Sequence, residues 1–220
     1  MAPPTRFTDH LRREAAPIWD AIFRHPFLRA VQEGTLPEER FRYYLAQDYH
    51  YIGAFGKAVA VALAKAPDAR HFDELARRLT TPIERPLHRR LFALAGMDEE
   101  EVRRARPSPT CLAYMDHLLA TALTGDVGLI SAALLPCPWT YHELGSRLQE
   151  TRNPLYAEWA SFYREGFLAE SVTAWRALVD RAAEPSSAAY RGLLEEAFLT
   201  SSRYEWMFWE MAYRTEKWPV

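Results

Sequence analysis

Cysteine is nearly absent, with only Cys111 and Cys137 in 220 residues. Two cannot build a disulfide framework, which excludes a small disulfide-stapled scaffold and leaves both expected as thiols. An excess of charge of either sign is also missing. Lys plus Arg number 27 against 29 Asp plus Glu, a formal net charge of −2. That balance gives no electrostatic case for nucleic acid or an anionic membrane surface, so a small molecule or another copy of the chain is the expected partner. No run of about 18 uncharged apolar residues is there to cross a bilayer, and Met1 to Arg6 leads into a polar helix rather than a secretory leader. A cytoplasmic protein is expected. The chain also lacks a P-loop, a Gly-rich dinucleotide turn and a serine nucleophile elbow.

What is present favours helix. Alanine and leucine far outnumber valine and isoleucine, and apolar residues recur at three- and four-residue spacing with no long period-two stretch. Thr35-Leu36-Pro37-Glu38 reads as a capping box opening a helix that runs to about Lys65. A second long helix is expected from about Asp68 to Ala95, bent near Pro82 and Pro86. Asp98 caps a short helix, and Pro107-Ser108-Pro109-Thr110 is a hinge into one ending near Gly125. Helix is expected again from Val127 to Gln149, interrupted at Pro136 and Pro138; Pro154 then opens a helix to about Gly166, and another follows to about Ala183. A last helix follows from Ala188 to about Glu216. The expected fold is all-α, one bundle of roughly seven to nine helices forming a single domain over 1–220.

Polar groups stand against the apolar grain in three places. Tyr44, Asp48, Tyr51 and Phe55 share one helix face, next to a segment apolar almost all round. A carboxylate there needs a partner, which a Tyr hydroxyl or a Lys could supply. Alternatively it faces a pocket and hydrogen-bonds a flat nitrogen-bearing ligand while the tyrosines stack on it. Cys137 lies between Pro136 and Pro138, neither of which has an N–H, so the helix must break or restart there. A thiol beside Leu135 and Trp139 can be a small buried hydrophobe, but at a helix restart it can also face backbone N–H groups that favour thiolate. Cys111, in a regular helix start, reads as structural. Glu205 lies in the aromatic run Tyr204-Glu205-Trp206-Met207-Phe208-Trp209, on a face with Ser201, Phe208 and Ala212. Apolar surroundings raise a carboxyl's pKa toward neutrality, which suits an acid/base, whereas the solvent face would leave it ordinary. Glu84 and His88 four apart, His142 beside Glu143, and His50 close after Asp48 motivate a rival, a metal-dependent oxidase. The usual Glu-x-x-His bundle signature is missing, however, and His88 reads as part of a charged surface with Arg85, Arg89 and Arg90.

Taken together these segments resemble the TenA family, the thiaminase II proteins of thiamin metabolism. The likeness is carried by His25-Pro26-Phe27, Gly34-Thr35-Leu36-Pro37 and Tyr43-Tyr44-Leu45-Ala46-Gln47-Asp48. It continues in Pro107-Ser108-Pro109-Thr110, Ala133-Leu134-Leu135-Pro136-Cys137, Tyr204-Glu205, Phe208-Trp209 and Met211-Ala212-Tyr213-Arg214. The resemblance implies a haem-oxygenase-like helical fold without haem, a homotetramer, and hydrolysis at the exocyclic methylene of a 4-amino-2-methylpyrimidine, thiamin included. It implies Cys137 as nucleophile, Glu205 as acid/base, Asp48 on the ring nitrogen and amino group, and Tyr51, Tyr114, Tyr141, Tyr163 and Phe208 as walls and rim. No metal or organic cofactor is implied. A pyrimidine-binding regulatory protein without turnover is the third reading.

Overall fold

A computed structural model of the chain describes residues 6–80 and 84–220, with the backbone alone for Thr80 and Glu84. Among the described residues there are thirteen helices and no strand. They are α1 (Phe7–Glu14), α2 (Ala16–Phe23), α3 (Pro26–Glu33), α4 (Glu38–Ala64), α5 (Ala69–Thr80), α6 (Glu84–Ala95) and α7 (Glu99–Arg104). There follow α8 (Pro109–Thr124), α9 (Val127–Leu134), α10 (Pro136–Gly145), α11 (Pro154–Arg164), α12 (Ala169–Ala183) and α13 (Ala188–Arg214).

The count exceeds the seven to nine expected because punctuating residues act within segments the periodicity joins. The expected helix over Asp68–Ala95 is two, α5 and α6. The bend at Pro82 lies outside the described residues. Near the N-terminus, Pro17 and Pro26 each open a new short helix, since proline fits a first turn whose N–H groups have no partner anyway. The Thr35–Glu38 capping box does not form. Pro37 occupies the N-cap of α4 with no side-chain bond. Leu36 instead donates its N–H to the Ala30 carbonyl, beyond Gly34 at φ 69°. The hinge at Ser108 and the cap at Asp98 are as the sequence indicates: each side chain accepts an N–H three residues on.

The two 27-residue helices, α4 and α13, carry the core. Trp19, Trp159, Trp175 and Trp209 are fully buried in one cluster with Tyr44, Phe41 and Phe27. Tyr44 stacks on Trp209 at 5.2 Å between ring centroids, fixing α4 against α13. His25 explains one of the family-like segments structurally. Its Nδ1 accepts the Phe27 N–H at the start of α3, while Nε2 meets Glu210 of α13 at 3.1 Å. Burial lowers the His25 pKa, opposed by the Glu210 carboxylate.

Candidate active site

The interruption between α9 and α10 positions Cys137. Leu135 keeps right-handed helical torsions, so the break is a restart without a loop, and Cys137 sits in the first turn of α10. Every residue from Ser131 to Tyr141 is buried. Neither cysteine is in a disulfide. Cys111 is fully buried, its Sγ 3.5 Å from the Gln47 carbonyl, and burial pushes its pKa far up, which leaves it inert as a nucleophile.

Cys137 forms the common wall of two spaces. An inner cavity of about 10 Å3, room for about one water, is lined by Asp48, Ile52, Cys137, Pro138, Tyr141, Tyr163 and Leu168. An outer cleft of about 360 Å3 shares Ile52, Cys137, Pro138 and Leu168 with it and opens toward α5 and α12. Four of the residues singled out in the sequence therefore line the inner cavity directly. Tyr141 and Tyr163 stand with ring centroids 4.9 Å apart, and the Tyr141 hydroxyl is 3.0 Å from that of Tyr44.

The other four pack behind it. The Tyr51 ring lies 4.7 Å from Tyr114 and 5.7 Å from Phe208. The Tyr51 hydroxyl is buried and makes no hydrogen bond of standard geometry among the described residues, although Tyr114 is close enough to affect its ionisation. Glu205 is 3% exposed and accepts from the Tyr114 hydroxyl at 2.7 Å. Thr140 Oγ1 lies 3.4 Å from the other Glu205 oxygen and donates to the Cys137 carbonyl at 3.1 Å. Thr140 thus ties the acid to the turn that carries the thiol. Burial raises the Glu205 pKa from 4.5 to about 7, with the Tyr114 bond opposing and the Asp48 charge adding to the rise. The solvent-face reading of Glu205 is excluded.

Asp48 finds a partner that the sequence reading assigned elsewhere. His88 is not on a charged surface: it is 2% exposed, and its Nε2 lies 2.7 Å from Asp48 Oδ2. The signal was present in α6, where Leu87, Leu91, Phe92 and Ala95 are buried at helical spacing and His88 falls in that stripe. Its ring stacks on Phe92, with 3° between the planes. This pairing takes His88 out of the metal constellation, and Glu143, next to His142, is held by Arg12 at 2.8 Å. Among the described residues no three His, Cys, Asp or Glu side chains are grouped to hold a metal ion.

The arrangement is a buried, aromatic-walled site with a carboxylate held by an imidazole, a thiol at a helix start, and a second carboxyl that titrates near neutrality. Residues 12–215 match the description of the TENA/THI-4/PQQC family. The chain is 36% identical over 217 residues to the aminopyrimidine aminohydrolase of Bacillus subtilis, covering 97% of this chain and 92% of that protein. It superimposes on the TenA homologue of P. horikoshii OT3 with a TM-score of 0.85 and 34% identity, over 96% of this chain and 99% of the other. A Shewanella denitrificans domain with a heme oxygenase-like fold superimposes with a TM-score of 0.76 over 94% of this chain and 92% of its own. At 14% identity that likeness bears on the fold alone.

Proposed function

The chain belongs to the TENA/THI-4/PQQC family, and on that premise we propose that it is a cysteine-dependent aminopyrimidine aminohydrolase of the thiaminase II type, acting in the cytoplasm as a homotetramer. The enzyme is a hydrolase: its relatives in Bacillus subtilis, Halalkalibacterium halodurans and Helicobacter pylori are named aminopyrimidine aminohydrolases and are matched across nearly their full length. The observation that carries the assignment of residues is the convergence of Asp48 and Cys137 on one cavity, with Glu205 bound through Thr140 to the turn that bears the thiol.

In this reading Asp48, held by His88, binds the ring nitrogen and amino group of a 4-amino-2-methylpyrimidine that enters past Cys137 from the outer cleft. Tyr141, Tyr163 and the Tyr51 side of the site part to widen the inner cavity, which alone holds about one water, around the ring. The Cys137 thiolate adds to the ring carbon beside the one bearing the methylene, forming a C–S bond as the ring nitrogen takes a proton. The resulting enamine expels the leaving group, which departs with a proton from Glu205. Water then adds to the exocyclic methylene and gives its proton back to Glu205. The C–S bond breaks, the ring nitrogen loses its proton, and the ring returns to aromaticity. The net change is R–CH2–NH2 + H2O giving R–CH2–OH + NH3, with no redox partner. A carboxyl near pKa 7 can serve both as acid and as base in this cycle.

The test is a substrate screen of thiamin, aminomethylpyrimidine and formylaminomethylpyrimidine, reading kcat/KM for each. Release of the hydroxymethylpyrimidine from at least one supports the reading. Tight binding of all three without product would replace it with a pyrimidine-binding regulatory role.

A further inference from the structure

The outer cleft carries chemistry that the reaction at Cys137 does not use. Its lining includes three arginines, Arg77, Arg78 and Arg85, against one carboxylate, Glu170. Arg78 is committed to carboxylates: its Nη2 lies 3.3 Å from Glu74 and 3.1 Å from Glu170. Its Nε is nevertheless buried without a hydrogen-bond partner among the described residues.

Arg85 is placed differently. Its guanidinium stacks 3.9 Å above the Tyr49 ring and passes Gly53 of α4, where an added Cβ would come within 3.5 Å of Nη2. It makes no ion pair among the described residues, and its Nη1 is a buried donor without a partner. A buried guanidinium N–H left unmet costs free energy that an acceptor in the cleft would recover. A stacked, pre-oriented fork of donors suits a planar or tetrahedral oxyanion better than a neutral group.

The cleft also has the position and the size for a substrate tail. It shares four lining residues with the inner cavity, Cys137 among them, and its volume of about 360 Å3 falls within the ordinary range for small-ligand sites. We propose that the outer cleft is a subsite for an oxyanion carried on the leaving half of the substrate, a phosphate monoester in particular, with Arg85 as its principal anchor and Arg78 as its second. The proposal rests on the pyrimidine reading of the inner cavity.

The test compares thiamin with thiamin monophosphate in the wild type, Arg85→Gln and Arg85→Lys, and reads the ratio of kcat/KM for the two substrates within each protein. Because the ratio is internal, a loss of folded protein in one variant cancels. The expected result is a preference for the phosphorylated substrate of about tenfold in the wild type, lost in Arg85→Gln and partly kept in Arg85→Lys. An equal ratio in wild type and Arg85→Gln overturns the proposal, as does a wild-type preference for unphosphorylated thiamin. Inorganic phosphate serves as the probe of a free-ion site: inhibition by it, with no gain for thiamin monophosphate, also overturns the tail assignment. If the wild type turns over no pyrimidine at all, the functional reading fails. The subsite is then still read by calorimetry, as tighter binding of thiamin monophosphate than of thiamin that disappears in Arg85→Gln.

Discussion

Glu205 owes its pKa to burial among aromatic side chains, and that has a consequence for stability as well as for catalysis. Its carboxyl holds a proton to about pH 7 in the folded protein against an ordinary 4.5. The folded state thus binds this proton more tightly than the unfolded chain. The contribution is fully present below about pH 4.5 and is lost as pH rises through about 7, by up to about 3 kcal/mol. Glu205→Gln is therefore expected to melt close to the wild type near pH 4.5 and above it at pH 8, while kcat/KM falls on the order of 10²–10⁴-fold. A melting difference that does not change with pH would contradict the assigned cause. At this scale much was legible in the sequence. Asp48 and Glu205 announced themselves as carboxylates in apolar stripes, and the two prolines set Cys137 apart from Cys111. His88 was not legible as a partner of Asp48, because Arg89 and Arg90 on the exposed side of α6 masked the buried stripe it belongs to. The arginines of the outer cleft come from α5 and α6 and meet the thiol only in the folded chain.

Among the elements, the pair α10 and α11 sets the width of the aromatic wall. A Cβ at Gly145, in the last turn of α10, would lie 2.2 Å from the Tyr163 carbonyl oxygen of α11. Only glycine allows this approach, which holds Tyr163 beside Tyr141. Gly145→Ala is expected to cost about 1–3 kcal/mol through overpacking, a fall in Tm of several degrees, and to raise KM as the wall shifts. An unchanged Tm would show that the two helices can part freely. Helix existence was legible from apolar spacing throughout. Boundaries were less so, because caps are decided by local geometry: Asp98 and Ser108 act as read, whereas Thr35 yields its place to Pro37 once the chain turns through Gly34. The restart at Pro136 was legible because a missing N–H has the same effect in any context.

For the whole molecule, the fold follows from amphipathic helices burying one shared core, and the family resemblance and the superposition on the TenA homologue agree on it. The homotetramer is a different matter, since no residue pattern within one chain specifies how many copies associate. Phe72, Leu94, Leu123, Phe167, Leu193, Met207 and Trp218 are large apolar side chains left exposed on the single chain. Light scattering coupled to size exclusion is expected to give four times the 25.4 kDa of the chain. A mass of one chain at micromolar concentration would contradict the tetramer and leave the active-site reading intact. The proposed chemistry depends on the thiol between the prolines. The direct measurement is release of hydroxymethylpyrimidine and ammonia from aminomethylpyrimidine by Cys137→Ala, with helicity checked by circular dichroism. The account predicts a folded protein with no turnover; full activity in that variant would contradict it.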